Sequence, residues 1–244
     1  MKNILQLTTF ITFFINFSDV TGQGSASSPG AQFSMDARTS INLGNMMGRP
    51  FSVNNYDKVK GTPFFIDSFT TAYVMLNGGK VYSIDKLRLN LLTHQLHFLT
   101  QENKELIAGD GIVKRVVFNK KSGDSTIPVI FANGYPAIDK FTDLSYYEAL
   151  NWGKVQVLKM TEKIIANDVS ITASPLDKHF EEHSGIYLFS TLQNSMIKWR
   201  KGKEFLIDFL KDKTDLIEKY IAENKLDCRS VKQLIMVIDY FNSL

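Results

Sequence analysis

From Gly61 to about residue 200, apolar and polar positions alternate in short runs broken by turn residues. This is the period of half-buried strands. "TTAYVML" (70–76) is β-branched and aromatic, "NGG" (77–79) is a strong turn signal, and "KVYSI" (80–84) reads as the return strand. In "KLRLNLL" (86–92), Leu87, Leu89 and Leu91 alternate with Arg88, Asn90 and Leu92. In "QLHFLT" (95–100), Leu96, Phe98 and Thr100 alternate with Gln95, His97 and Leu99. A two-residue turn at Thr93-His94 pairs Leu92 with Gln95, Leu91 with Leu96, Asn90 with His97 and Leu89 with Phe98. That register gathers Leu89, Leu91, Leu96 and Phe98 on one face. His94 then sits in the turn, where its tolerance of positive φ helps. His97 stands across from Asn90 on the wetter face, so the two imidazoles do not share a metal.

Further strands are expected at 104–108, 112–118 and 126–132, the last marked as an edge or a loop by Pro128. "SYYEAL", "NWGK" and "VQVLKM" (145–160) predict a hairpin around Trp152-Gly153. Residues 161–185 are polar and mixed and read as an excursion, before a strand at 185–190 turns through "TLQNS" into "MIKWR".

After Lys201 the apolar spacing becomes helical. Phe205, Leu206, Phe209 and Leu210 share one face. Thr214 is the expected N-cap of a second helix, with Asp215 in its first turn and Leu216, Ile217, Tyr220 and Ile221 behind it. "SVKQ" (230–233) has the form of a capping box and opens a stripe of Val231, Leu234, Ile235, Ile238 and Phe241. The fold class is therefore α+β: a mostly antiparallel, twisted or curled β-sheet with a C-terminal segment of two or three short helices packed on it. The organisation reads as a signal peptide (1–22), a flexible lead-in of uncertain structure (23–60), a β-rich body (61–200) and the helical segment (201–244).

Composition narrows the functional classes. The 244 residues are 44% apolar and 22% charged, as in ordinary globular chains, and 18 Phe with 9 Tyr lean toward strands. The net charge of +3 is mild, and basic residues interleave with acidic ones, as in "KDKTDLIEKY". This argues against a dedicated nucleic-acid binder. Lys2, the apolar stretch Ile4 to Phe17, and Val20-Thr21-Gly22 before Gln23 have the order of a secretory signal. The apolar run falls short of the ~20 residues that a span needs, so no transmembrane span is expected in the mature chain. Cys228 is the sole cysteine, which excludes an intramolecular disulfide, and with no histidine nearby in sequence it reads as a structural thiol.

"GTPFFIDSF", "LNGGKVYSIDKLRLNLLTHQLHF", "YYEALNWGKVQVLKM" and the closing "SVKQLIMVIDYFNSL" together resemble an uncharacterised family of exported bacterial envelope proteins. The resemblance runs from about Gly61 to Leu244 and is patchier at 119–145 and 161–184. Each motif is weak alone, and their order along the chain is the specific part. One departure is Thr93-His94, where a more turn-prone pair is expected. The resemblance implies location and architecture and transfers no site.

The sharpest chemical motif is "HFEEH". His179, Glu182 and His183 match the His-x-x-Glu-His form of inverted zinc peptidases. That chemistry needs both histidines one helical turn apart, Glu182 as general base and a distant third ligand. Between Pro175 and Gly185 there is room for barely two turns. "AGDGIV" (108–113) precedes a strand and reads as a turn. Asp208 and Asp212 read as a solvated helix face. Aromatic residues at strand spacing could line a ligand cavity if the sheet curls, although small curled sheets usually fill with side chains.

The resulting expectation is an exported, periplasmic or extracellular, non-enzymatic envelope or binding protein, with another envelope protein as the partner it implies. No catalytic, cofactor-binding or metal-ligating residue is assigned, and no cofactor is implied. Two alternatives are a carrier of an apolar ligand inside a curled sheet and a metal-dependent hydrolase using His179, Glu182 and His183.

Overall fold

The computed structural model describes residues 48–51, 56–167 and 177–244. The expected signal peptide and the lead-in up to residue 47 lie outside the described residues. Among the described residues, twelve strands join in one sheet: β1 (Arg49–Pro50), β2 (Val59–Lys60), β3 (Thr70–Leu76), β4 (Val81–Asn90), β5 (Gln95–Leu99), β6 (Glu105–Ile107), β7 (Val113–Ser122), β8 (Ser125–Ala132), β9 (Tyr147–Ala149), β10 (Val155–Asn167), β11 (Lys178–Ser190) and β12 (Ser195–Lys198). Three helices follow: α1 (Lys203–Phe209), α2 (Thr214–Glu223) and α3 (Val231–Ser243). The protein is α+β, a mostly antiparallel sheet carrying a C-terminal helical segment.

The strands run in the order β1-β6-β5-β4-β3-β7-β8-β9-β10-β11-β12. β2 stands off that path and pairs in parallel with β11, through Val59–Lys178 and Lys60–His179. A few residues later the same segment reaches β4. Phe64 bridges Asn90, and the Leu91 N–H donates to the Pro63 carbonyl at 2.8 Å. The segment 59–65 thus straps the far hairpin of β10 and β11 to the end of β4. Two short strands within the expected flexible lead-in, β1 and β2, therefore take part in the sheet.

The β4–β5 hairpin forms, with a different register. The pairs are Leu87–Phe98, Arg88–His97, Leu89–Leu96 and Asn90–Gln95, around a four-residue loop from Leu91 to His94. A two-residue hairpin turn of the favoured kind needs positive φ at both central positions or a glycine at the first, and Thr93-His94 offers neither. Asn90 supports the longer loop instead: its Oδ1 accepts from the Leu92 N–H at 2.9 Å and the Thr93 N–H at 3.2 Å, and His94 alone takes φ 54°. The shift is two residues, so the facing survives, and Leu87, Leu89, Leu96 and Phe98 are buried together. The expected wetter face for His97 is wrong. Its ring is fully buried, against Phe51 and Phe64.

Residues 161–185 also depart from expectation. Over 161–167 and 178–185 they are not an excursion: β10 and β11 pair continuously from Val155–Ser190 to Asn167–Lys178, and residues 168–176 lie outside the described residues. Pro128 sits where β8 has a partner on one side only, since β9 reaches no further than Phe131, so the edge reading fits.

The two faces of the β10–β11 hairpin bury different cores. Val155, Val157 and Leu188 meet Leu206, Ile217, Ile221, Leu234, Val237 and Ile238 of the helices. On the opposite face Leu158, Met160 and Tyr187 meet Tyr135, Phe141 and Tyr147. A third cluster around Leu87, Leu89, Phe98, Phe118 and Phe131 fills the β3–β8 half. Thr214 is the first residue of α2 rather than its N-cap, and its hydroxyl donates to the Lys211 carbonyl. Ser230 caps α3 by accepting from the Gln233 N–H. Cys228 is buried among the helices, where burial and then the nearby Asp227 and Glu204 charges push its thiol pKa up. It behaves as a packed, unreactive thiol.

Candidate functional site

The loop from residue 133 to 146, between β8 and β9, folds back over β10. Its tip is a tight turn: Ile138 and Phe141 exchange both backbone hydrogen bonds, at 3.0 and 3.1 Å, and Asp139 takes φ 53°. This turn presents Lys140 to β10, where its Nζ lies 2.7 Å from Glu162. On one side of that ion pair is a recess of about 450 Å³. Its walls come from the β4–β5 loop, the 108–111 turn, Asn133, the 140–146 loop and Glu162–Ile164 of β10. On the other side a second recess, of about 440 Å³, runs along β11 past His183, Ser184 and Tyr187. Lys140, Phe141 and Glu162 border both.

The groups lining the first recess are held in place by backbone bonds. The Lys163 N–H donates to the Leu91 carbonyl at 3.0 Å, which ties β10 to the β4–β5 loop. The Lys163 ammonium donates to the Thr62 and Phe64 carbonyls at 2.8 and 3.0 Å, and burial lowers its pKa against the opposing charges of Glu182 and Asp67. The Asn133 amide donates to the Val113 carbonyl at 3.0 Å, leaving its shielded Oδ1 with no protein partner. His94 lies edge-on to Phe141, with ring centroids 5.8 Å apart. Both its ring nitrogens are shielded and unpartnered. Burial lowers its pKa to about 4, Glu162 opposing and Lys140 assisting. The ring is therefore neutral at physiological pH. In the second recess Tyr187 donates to Asp139 at 2.8 Å, and Lys198 lies 3.5 Å from the same carboxylate. These two partners hold the Asp139 carboxyl below its ordinary range, the Tyr187 hydrogen bond foremost.

The histidines singled out in the sequence fall into separate surroundings. His94 borders the recess. His97 lies under β1 and β6, its Nδ1 2.7 Å from Glu105, whose two carboxylate oxygens also accept from one Arg88 nitrogen, Nη2, at 2.8 and 2.9 Å. A carboxylate only accepts, so Nδ1 carries the proton. Burial lowers the His97 pKa despite Glu105. The Arg88 guanidinium is sandwiched against Phe64 and Phe69. This cluster is a structural rivet between β4, β5 and β6.

The His179–His183 motif lies on β11, an extended strand. Four residues of strand separate the two side chains by roughly 13 Å, with Glu182 on the other face. The helical geometry of an inverted zinc site is not formed, and His183 instead lies 2.9 Å from Glu181. No group of three or more His, Cys, Asp or Glu side chains fit to hold a metal occurs among the described residues. Sequence reasoning missed Asn133, Lys140 and Glu162. Their only signal is polarity within a strand or loop, and they meet only after the 133–146 loop folds over β10.

The chain matches no protein family, no curated protein and no solved structure. No helix among the described residues is long and apolar enough to cross a membrane.

Proposed function

We propose that this is an exported binding protein that holds a ligand in the groove crossing the Lys140–Glu162 pair. The observation that carries this reading is the pair of recesses, about 450 and 440 Å³, meeting over one ion pair. Each lies within the ~300–1,000 Å³ range of small-molecule sites. Binding without chemistry is favoured because the groove's ionic groups are largely engaged with one another or with backbone. Glu162 holds Lys140, Asp139 holds Tyr187 and Lys198, and Lys163 holds two carbonyls. Export rests on the charge and apolar order of residues 2–22, and a second envelope protein remains the partner this location implies.

A carrier of apolar ligands has less support. The recess is large enough, but it is bordered by ion pairs, while the aromatic positions that could have lined an apolar cavity fill the cores themselves. Phe98, Phe118, Phe131 and Tyr147 are at most 1% exposed.

Hydrogen exchange of the mature protein with and without the small-molecule fraction of an envelope extract tests the proposal. Slowed exchange is expected at 91–95, 108–112, 133–146 and 162–164. Exchange unchanged throughout, or slowed only at the helices, would count against a binding groove.

A further inference from the structure

We propose that the ligand of this groove is an uncharged, hydroxyl-rich molecule, a neutral carbohydrate of a few units. The inference rests on the groove being a binding site, and it concerns what the groove selects. Two lysines and two carboxylates border each recess, so neither offers a net charge to an ionic ligand. The Lys140–Glu162 pair and the Asp139–Lys198–Tyr187 cluster would have to be broken before a charged ligand could take their place. These pairs are exposed on the lysine side, at 63% and 61%, so the selection comes from charge balance: each cation already faces a carboxylate and each carboxylate a cation or hydroxyl.

The neutral polar groups are the ones left over. Asn133 Oδ1 is an acceptor without a protein partner. The neutral His94 ring has one donor and one acceptor, both unpartnered. Thr93 and Gln95 add a hydroxyl and an amide around the same recess, and Thr142 and Ser145, whose oxygens accept from the Leu144 and Thr142 N–H groups, keep a hydroxyl hydrogen to donate. A hydroxyl both donates and accepts, so a polyol satisfies such a mixed set, whereas a carboxylate or phosphate can only accept. These polar atoms are shielded, and the Phe141 ring packs at 76° against the imidazole, 5.8 Å between centroids. Occupancy therefore requires the Phe141 ring to move off the imidazole.

Titration of the isotopically labelled mature chain, followed by NMR, tests this. The probes are neutral oligosaccharides of two to four hexose or N-acetylhexosamine units, the corresponding uronic-acid oligomers, and a capped neutral tripeptide. A neutral oligosaccharide is expected to shift the Asn133 side-chain amide, the His94 ring and the Phe141 ring. Its affinity should change less than twofold between 50 and 500 mM NaCl. Gln95→Ala and Asn133→Asp should each weaken it about tenfold or more, with folding checked by thermal melts. Gln95 is included because its substitution leaves the Asn133–Val113 bond intact.

Shifts produced only by uronic-acid oligomers or only by the tripeptide overturn the neutral-carbohydrate assignment and leave the binding groove standing. The same holds if no probe acts but the envelope extract still slows exchange in the groove. If neither probes nor extract perturb these residues, both proposals fall.

Discussion

His94 combines three features at one position: a left-handed backbone, a buried ring and no protein partner for either nitrogen. Its burial has a consequence for stability. In the unfolded chain the imidazole takes up a proton below about pH 6.5. In the folded chain it stays neutral down to about 4. Between those values the unfolded state binds the extra proton. The ring's contribution is thus complete above about pH 6.5 and declines as the pH falls toward 4. At about 1.4 kcal/mol per unit, His94 should cost the protein about 2 kcal/mol between pH 7 and 4.5. His97 is shifted in the same direction and adds to the loss. His94→Asn keeps a residue that tolerates positive φ and has nothing to titrate there. Urea midpoints at pH 7 and 4.5 should show a loss about 2 kcal/mol smaller in the variant. Equal losses in both proteins would mean that the ring is not held neutral.

Among the elements, α3 shows how a helix is locked to a strand. Leu234, Val237 and Ile238 are fully buried against β10, while Val231, Ile235 and Phe241 flank them, partly buried. The stripe thus turns about Val237, a position the expected pattern left out. Asn242 then acts as a strand neighbour. Its Oδ1 accepts from the Val155 N–H at 2.9 Å and its amide donates to the Val155 carbonyl at 2.8 Å. Asn151 adds a bond to Asp239 at 2.8 Å. Gly153 makes the close approach possible: at φ 149°, a Cβ there would lie 2.4 Å from the Asn242 side chain. Ile238→Ala should cost about 2–5 kcal/mol. Phe241→Ala should cost less, since its ring is only partly buried. Gly153→Ala should destabilise by displacing Asn242, and Asn242→Ala should cost about 1–3 kcal/mol by orphaning the Val155 groups. Chemical denaturation of the four variants checks the order. If removal of residues 225–244 left a protein that is soluble and melts at the same temperature, α3 would be an appendage and this account would fail.

For the whole molecule, the strap of residues 59–65 and the pairing of β2 with β11 join positions more than a hundred residues apart. Such contacts lend the fold cohesion without disulfides, because the only cysteine is buried in the helical core. Within the chain, cohesion therefore rests on packing and hydrogen bonding. N-terminal sequencing of the exported chain should give a start near Gln23; an intact Met1 in the mature form would contradict the export reading.

Local chemistry by itself determined where most strands and all three helices lie. A period of two or of 3.6 is written in neighbouring residues, as in "TTAYVML" and the Leu234–Ile238 stripe. It determined which residues of the β4–β5 hairpin share a face, because a two-residue shift preserves parity, but not that the face of Asn90 and His97 is buried as well. It did not determine the register, since Asn90 competes for the loop through side-chain bonds that no periodicity records. The polar segments 161–167 and 178–185 concealed a strand pair, because most of their residues are half-buried or exposed whichever face they are on and leave no alternation to read. Only the tertiary structure decided the groove. Asn133, Lys140 and Glu162 come from separate elements, and His94 from another hairpin. Their meeting depends on the 133–146 loop folding over β10 and on the Lys163–Leu91 bond that holds β10 against the β4–β5 loop. A sequence records which residues can form a strand, whereas a site is made by strands distant in the chain whose packing energies are shared across the whole sheet.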